Sequence, residues 1–327
     1  MDDTPRPQSV IRVRGLRRSF GSRRGTVEAV AGIDLDVKEA EIFGFLGPNG
    51  AGKTTTLRML STVLPPTAGE ATVAGYDLRR QPQRVREHIG YVGQTGGTDH
   101  SLTGRAELVF QGLLYRLPAR QAQRRAAQLL TIFELETVAD RSISTYSGGQ
   151  RRRLDIALGL VHHPTVLFLD EPTTGLDPQS RARMWEEVER LREKGTTVFL
   201  TTHYLEEADA LCDRLAIIDQ GRIVAEGTPD ELKRAIAGDV ITLGVAGDPG
   251  AALNVLSSRS FIRDHDPLLP DGDSIRVYVD CGETAMPAIF RVLEQNGVVL
   301  KTVSMSRPSL DDVFLRQTGR SLREEAA

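Results

Sequence analysis

The sequence has few cysteines, no strong excess of charge of either sign and no long hydrophobic run. Its 327 residues include two cysteines, Cys212 and Cys281, so a disulfide scaffold and a CxxC zinc or redox site are both excluded. Lys and Arg number 41 against 44 Asp and Glu. This near balance argues against a strongly basic nucleic-acid-binding protein, and we expect no nucleic-acid partner.

The lack of a long apolar run bears on the relation to membranes. The longest weakly charged apolar run, residues 157–169, contains two histidines and a proline and is far shorter than the ~20 residues that a membrane helix needs. The first residues also lack the positive and apolar regions of a secretory signal. We therefore expect a chain that begins in the cytosol and does not cross a membrane by itself.

Length and hydrophobic pattern predict two folded domains. Residues 1–9 are polar and are predicted to be disordered, and residues 320–327 are predicted to be a tail. Residues 10–237 begin with period-two patterns typical of antiparallel strands and continue with alternating strands and helices, which favour a parallel α/β sheet. Strand patterns vanish between about residues 98 and 163, which indicates a helical insertion. Residues 239–319 predict a small α+β domain.

A glycine-rich segment carries the first chemical signal. Residues 47–54 (GPNGAGKT) fit the phosphate-binding pattern G-x-x-x-x-G-K-[ST], after an apolar strand and before a helix predicted over residues 54–64. The glycines let backbone N–H groups surround a phosphate, and Lys53 would reach the outer phosphates. The alternative is a chance glycine turn, which the strand-to-helix context disfavours. The candidate nucleotide-binding residues are Gly47, Pro48, Asn49, Gly50, Ala51, Gly52, Lys53, Thr54 and Thr55.

Two adjacent carboxylates end a second apolar strand. Residues 166–171 read VLFLDE. Asp170 would hold Mg²⁺ through water together with the hydroxyl of Thr54, and Glu171 would polarise an attacking water molecule. On its own this pattern is weak, because strands often end in acidic residues at the solvent edge. The phosphate-binding loop beside it makes the interpretation strong.

A third motif brings out a family resemblance. Residues 146–150 (YSGGQ) precede a predicted helix, where Ser147 alone is typical of an N-cap. In chain order this segment lies between the other two motifs, and in that order the three resemble the ATP-binding cassette (ABC) family, in which this segment is the signature. The resemblance implies that the signature residues bind the γ-phosphate of an ATP held by the opposite subunit. These residues are Ser147, Gly148, Gly149 and Gln150.

Four further positions match the family in order, and each has a plainer alternative. Gln94 matches the Q-loop that senses Mg²⁺ and the membrane partner, though it could be a polar loop residue. Asp177 matches the D-loop, though it is also a good N-cap. His203 matches the switch histidine that touches the γ-phosphate, though a lone histidine after a strand is usually structural. Phe20 matches the aromatic residue that stacks on adenine, where Tyr is commoner, though it could be core packing.

The closer resemblance is to ATP-binding subunits of the daunorubicin/doxorubicin-resistance type. It is carried by residues 145–155 (TYSGGQRRRLD), 169–177 (LDEPTTGLD) and 307–315 (RPSLDDVFL), so it spans nearly the whole chain. Several members of that group carry Gln at the switch position and Met after the signature glycines. Here His203 and Gln150 are the commoner ABC residues. The resemblance therefore implies ATP hydrolysis but does not identify the drug.

The resemblance implies a fold, a mechanism and partners. The fold is an ABC-type P-loop ATPase with a parallel core sheet, an antiparallel β subdomain and a helical insertion, followed by a small α+β domain. ATP and Mg²⁺ are the implied cofactors, with a homodimer in the ATP-bound state at the cytoplasmic face of the membrane, beside a separate polytopic permease. The implied catalytic residues are Glu171, His203, Lys53 and Gln94, and the implied metal-site residues are Thr54, Gln94 and Asp170.

Other interpretations stay open at this point. The chain could be a soluble ABC ATPase without a transport role, although it has neither paired cassettes nor long coiled-coil arms. It could also serve export of a lipid, a polysaccharide or another substrate. Residues 239–319 could be a regulatory, ligand-sensing or dimerisation module. We interpret the basic run 151–153 as a solvated helix face.

Overall fold

The structure, a computed structural model, describes residues 9–22, 25–236, 238–266 and 274–319. The chain divides into two compact units, residues 1–224 and 225–327. The disorder predicted for residues 1–9 falls outside the described residues except at Ser9, which begins the first strand, and the predicted tail lies outside them as well. Over the described ranges, no helix combines the length and the apolar character that spanning a bilayer requires.

The first unit contains two sheets and a group of helices. Its elements in chain order, the last of which crosses the division, are β1 (Ser9–Ser22), β2 (Gly25–Lys38), β3 (Ile42–Leu46), α1 (Lys53–Leu60), β4 (Ala68–Val73), β5 (Tyr76–Asp77), α2 (Pro82–His88), β6 (Ile89–Val92), α3 (Gly104–Leu114), α4 (Ala119–Ile132), α5 (Gly148–Gly159), β7 (Val166–Asp170), α6 (Pro178–Glu193), β8 (Thr197–Thr202), α7 (Leu205–Leu211), β9 (Arg214–Asp219) and β10 (Arg222–Gly227).

The smaller sheet of this unit is antiparallel. Its strand order is β2-β1-β4-β5, and β1 pairs along nearly its full length with β2. The alternation of apolar and polar residues that predicted antiparallel strands places Ile11, Val13 and Leu35 in the core. The antiparallel β subdomain expected from the sequence is therefore present.

The larger sheet has the order β10-β9-β3-β8-β7-β6, and β3, β6, β7, β8 and β9 pair in parallel. The central strands β3, β7 and β8 are buried along their whole length. The nearly continuous apolar sequences of β3 and β7 are typical of strands covered on both faces, whereas β8 also buries three threonines. The rings of Phe43 and Phe199 stack at 5.6 Å within this core.

This strand order positions the site. Strands β3, β8, β7 and β6 are neighbours, and they run parallel. Their carboxyl ends therefore lie side by side at one edge of the sheet, which is where open α/β sheets bind ligands. The segments that follow them contain the phosphate-binding loop, His203, Glu171 and Gln94 respectively.

Two sequence expectations about helices need correction. The helix predicted over residues 54–64 ends at Leu60, because Thr62 has a left-handed backbone with φ of 63° that no α-helix can continue through. Helix α2 was not predicted, although Pro82 at its first position is a recognised start signal. The helical insertion is present as α3, α4 and α5, with two short 3₁₀ turns before α5.

The second unit is a small α+β fold with its own core. Its elements are α8 (Pro229–Ala235), β11 (Asp239–Ala246), α9 (Pro249–Ser257), β12 (Asp264–His265), β13 (Ser274–Val279), α10 (Gly282–Gln295), β14 (Val299–Ser306) and α11 (Leu310–Thr318). The sheet is antiparallel, in the order β12-β13-β11-β14. Helix α8 contacts α11, so the second unit begins before the boundary near Gly238 that the sequence suggested.

Candidate active site

The phosphate-binding loop connects β3 to α1. Gly50 and Gly52 have φ of 80° and 108°, left-handed conformations that favour glycine. A Cβ on Gly47 would come within 2.3 Å of the Ile218 carbonyl oxygen, and one on Gly52 within 2.5 Å of the Ala29 carbonyl oxygen. Backbone geometry therefore requires glycine at these positions.

Helix α1 begins at Lys53 without a side-chain cap, since Gly52 is its N-cap residue. The first backbone N–H groups of a helix have no partner within the helix, and the helix dipole makes this end attractive to anions. Thr54 and Thr55 follow in the first turn and are half-buried. The N-terminus of α1 therefore has the backbone features that can bind a phosphate.

Lys53 is buried with its ammonium group held by the loop itself. Its Nζ donates to the carbonyl oxygens of Gly47 at 2.7 Å and Pro48 at 3.0 Å, and it lies 3.4 Å from Oε1 of Glu171. Burial lowers the pKa of Lys53, and the negative charge of Glu171 only partly opposes that effect.

Asp170 ends β7 and is completely buried. Its Oδ1 accepts hydrogen bonds from the hydroxyls of Thr54 at 2.9 Å and Thr201 at 2.7 Å. Its other oxygen, Oδ2, is buried and has no hydrogen-bond partner among the described residues. A buried carboxylate oxygen without a partner is costly, so it indicates a missing ligand such as a cation or its water shell. Oxygen donors of this kind fit Mg²⁺.

Glu171 has a strained backbone that points its carboxylate into the site. Its φ is 46°, which is uncommon for a residue other than glycine. The strained backbone is fixed by β8, because the Glu171 N–H donates to both the carbonyl oxygen of Thr201 at 3.1 Å and its hydroxyl at 3.0 Å. Strain that is held in this way is typical of functional residues.

Three further side chains converge on the Glu171 carboxylate. The amide of Gln94 donates to Oε2 at 3.1 Å, and the hydroxyl of Thr174 donates to the same oxygen at 3.3 Å. Nδ1 of His203 lies 3.3 Å from Oε1. Burial by itself would raise the pKa of Glu171, but the contact with His203 and the charge of Lys53 outweigh it, so its pKa lies below the ordinary value.

The predicted signature starts α5. Ser147 and Gln150 form a capping box, in which the Ser147 hydroxyl accepts from the Gln150 N–H and the Gln150 side chain accepts from the Ser147 N–H. Asp177 caps α6 through hydrogen bonds from the Ser180 N–H at 2.9 Å and hydroxyl at 2.6 Å. A Cβ on Gly149 would lie 3.0 Å from that same hydroxyl, so the signature and the Asp177 turn are neighbours.

The structure therefore separates the predicted site residues into two groups. One group meets around Glu171 and Asp170 and contains Lys53, Thr54, Gln94, Asp170, Glu171 and His203. Among the residues that the structure describes, neither the signature nor Asp177 or Phe20 forms a hydrogen bond or ion pair with that group. Phe20 lies on β1 and is 39% exposed, with the guanidinium of Arg18 4.7 Å from its ring centroid.

Sequence reasoning missed two residues of the site. Thr201 binds both Asp170 and Glu171, but within an apolar strand it carried no distinguishing signal. Arg152 belongs to the basic run that we interpreted as a solvated helix face. That interpretation is wrong for Arg152, which is 7% exposed, because its guanidinium donates to three backbone carbonyl oxygens inside the unit. A helical position three or four residues from other core residues would have indicated burial.

Comparison with known proteins gives a consistent result. A family model for ABC transporters matches residues 30–174, and one for the C-terminal domain of DrrA1-3-like ATP-binding proteins matches residues 227–318. Daunorubicin resistance ATP-binding protein DrrA2 of Streptomyces coeruleorubidus is 46% identical, covering 94% of this chain and 95% of that protein. Linearmycin resistance ATP-binding protein LnrL of Bacillus subtilis (strain 168) is 36% identical, covering 96% and 100%.

A solved structure agrees with these relatives. That of cbiO1 from Clostridium perfringens, part of the ABC transporter complex cbiONQ, is 27% identical and has a TM-score of 0.61 over 70% of this chain and 94% of that one. Fold and site together define a P-loop ATPase of the ABC type. The chain belongs to the ATP-binding proteins of ABC exporters, with a DrrA-like C-terminal domain, and it binds and hydrolyses ATP. The fold class and the family predicted from the sequence are confirmed.

Proposed function

We propose that this chain powers efflux of a drug or another small hydrophobic compound through a separate membrane permease, and that ATP closes two copies of it into a head-to-tail homodimer. The observation that carries the proposal is the convergence of Gln94, Lys53 and His203 on Glu171. It supports the proposal because Gln94, which we propose senses the permease, donates to the carboxylate that we propose activates water.

The roles of the site residues follow from their chemistry. The N–H groups at the start of α1 and the ammonium of Lys53 bind the phosphates of ATP. Thr54, Gln94 and, through water, Asp170 would hold Mg²⁺, which would neutralise phosphate charge. Glu171 orients and polarises the attacking water, for which its low pKa keeps it ionised. Lys53 and His203 stabilise the charge that develops on the γ-phosphate.

The homodimer follows from the separation of the two groups of residues. One chain has one phosphate-binding loop and one signature. Over the described residues, the signature forms no hydrogen bond or ion pair with the group around Glu171. A second copy, turned head to tail, would place its Ser147–Gln150 segment and Asp177 over the ATP. Phe20 on β1 would stack on adenine.

The permease has a candidate docking place on the helical insertion. A groove of about 500 Å³ is lined by Gln94 together with Glu107, Gln111 and Tyr115 of or beside α3. Close by on the same helix, Phe110 and Leu114 expose 52% and 61% of their surface. Such apolar exposure is typical of an interaction surface. A permease segment bound in this groove would contact Gln94 directly, which is the route by which hydrolysis would be coupled to transport.

Affinity purification from host membranes with ATP, followed by mass spectrometry, tests the transporter role. We expect a polytopic membrane protein in stoichiometric yield. The variant Gln111→Arg, in the groove, should no longer purify with that membrane protein. The variant Arg124→Glu, at an exposed position of α4, should still purify with it. A ribosomal, DNA-bound or empty preparation from the wild type would instead support a soluble ABC ATPase. Lys53→Ala should abolish ATP binding, and retained micromolar binding would refute the role of the phosphate-binding loop.

Substrate class and the second unit need separate tests. The purified complex should show ATPase stimulation by small hydrophobic drugs, and stimulation by a lipid or a polysaccharide alone would select that alternative. We infer a regulatory or dimerising role for residues 225–319 because they form a compact unit with its own core. Truncation after Gly227 removes α8 together with its partner α11. Full export by that truncated chain would exclude the role.

A further inference from the structure

The buried side chain of Arg152 links helix α5 to the segments that follow β6 and β7 at the carboxyl edge of the sheet. Nε of Arg152 donates to the carbonyl oxygen of Pro172 at 2.8 Å, Nη1 to that of Gly93 at 2.7 Å and Nη2 to that of Asp170 at 3.0 Å. Each nitrogen thus serves a different carbonyl oxygen. Only the planar guanidinium offers three separate nitrogen donors in a fixed arrangement.

The three carbonyl oxygens flank the residues that perform the chemistry. Gly93 directly precedes Gln94, whereas Asp170 and Pro172 are the neighbours of Glu171 on either side. Arg152 contacts neither the Glu171 carboxylate nor the Gln94 amide. It binds instead the backbone next to both residues, including the backbone on either side of Glu171, which has a strained φ of 46°.

Asp155, one turn further along α5, holds the other end of the Gln94 loop. Its Oδ1 accepts a hydrogen bond from the Gly97 N–H at 3.4 Å. Its Oδ2 lies so close to Gly96 that a Cβ added there would be 2.7 Å from it. Both Arg152 and Asp155 are less than a tenth exposed. Burying two charged groups is costly, so their retention inside the unit needs a reason beyond packing.

We propose that Arg152 and Asp155 are a positioning pair that couples the signature end of α5 to Gln94 and Glu171 of the same chain. The pair rests on the proposed function, in which the start of α5 contacts the ATP of the opposite subunit. Closure on that ATP then moves α5 as a rigid body and aligns this subunit's own catalytic carboxylate. Each subunit would thereby report occupancy of one ATP site to the other.

The test compares variants of the full-length chain in steady-state ATPase assays. Arg152→Gln should lower kcat at least tenfold and bring the Hill coefficient for ATP to one, while the affinity for a fluorescent ATP analogue stays within twofold. Arg152→Lys keeps the charge but replaces three nitrogens by one, so its kcat should fall between Arg152→Gln and the wild type. Asp155→Asn should also lower kcat. It is the variant to measure if Arg152→Gln does not fold.

Arg153→Gln is the matched control. Arg153 is the next residue of α5 and also donates to a backbone carbonyl oxygen, that of Phe133 at 2.9 Å in the helical insertion. Its ion pairs are with Glu134 and with Glu187 of α6, not with the segments that carry Gln94 and Glu171. Its kcat should stay within twofold of the wild type. Unchanged kcat in both Arg152→Gln and Asp155→Asn, or an equal loss in Arg153→Gln, would overturn the positioning role. A wild type that neither dimerises with ATP nor shows a Hill coefficient above one would instead refute the proposed homodimer.

Discussion

Nδ1 of His203 lies 3.3 Å from Oε1 of Glu171, at the junction of two neighbouring parallel strands. His203 follows β8 and Glu171 follows β7, so the pairing of those strands brings together residues far apart in the sequence. Lys53 approaches the same oxygen from α1 at 3.4 Å. The carboxylate therefore lies between groups from two other segments, and both groups favour its ionised form.

The first prediction concerns Glu171 itself. Glu171→Gln should lower kcat by ~10²–10⁴-fold, the usual contribution of a positioned general base, while ATP binding is retained because Lys53 and Thr54 are intact. The variant should accumulate as an ATP-bound dimer in size-exclusion chromatography. Glu41→Gln, at another buried glutamate, should keep its turnover. Near-normal hydrolysis by Glu171→Gln would show that Glu171 is not the residue that activates the attacking water.

The second prediction concerns the contact between His203 and Glu171. Since His203 helps to hold the pKa of Glu171 below its ordinary value, His203→Gln should raise that pKa. The acid limb of the pH profile of kcat/KM, which reports ionisation in the free enzyme, should then move to higher pH. His100→Gln, at an exposed histidine, should leave the limb in place. An acid limb that stays in place in His203→Gln, with the fold intact by circular dichroism, would contradict the prediction.

The third prediction tests a residue that the sequence did not reveal. Thr201→Val keeps the shape of the side chain but removes the hydroxyl that binds Asp170 and the Glu171 N–H. We expect unfolding free energy to fall by ~1–3 kcal/mol and kcat to fall several-fold, measured by denaturant titration and ATPase assay. Thr197→Val on the same strand removes a hydrogen bond from the Ala40 N–H. Thr197→Val should lower the unfolding free energy without lowering kcat. An equal loss of kcat in Thr197→Val and Thr201→Val would exclude a specific role for Thr201.

Much of the fold and site was predictable because the signals were local. Buried strands such as Ile42–Leu46 and Val166–Asp170 are continuous apolar runs, and the loop after each carries its own motif. The partners of Thr201 and Arg152 were not predictable, although spacing could have indicated that Arg152 is buried. Strand order rather than sequence spacing brings those partners near. The end of α1 was also missed, because a left-handed residue such as Thr62 leaves no mark in a hydrophobic pattern.

The last prediction concerns pH and stability at Glu187 of α6. Burial, only partly opposed by Arg153, raises the pKa of Glu187 to about 8. Between the unfolded value near 4.5 and about 8 the native state keeps a proton that the unfolded chain has released. Stability therefore falls as pH rises through this window, by at most about 1.4 kcal/mol per pH unit from this group.

Glu187→Gln cannot ionise, so its Tm should fall less between pH 6 and pH 8.5 than that of the wild type. The adjacent exposed Glu186→Gln is the control and should follow the wild type. An identical pH dependence of Tm in Glu187→Gln and the wild type would show that Glu187 is ionised in the native state.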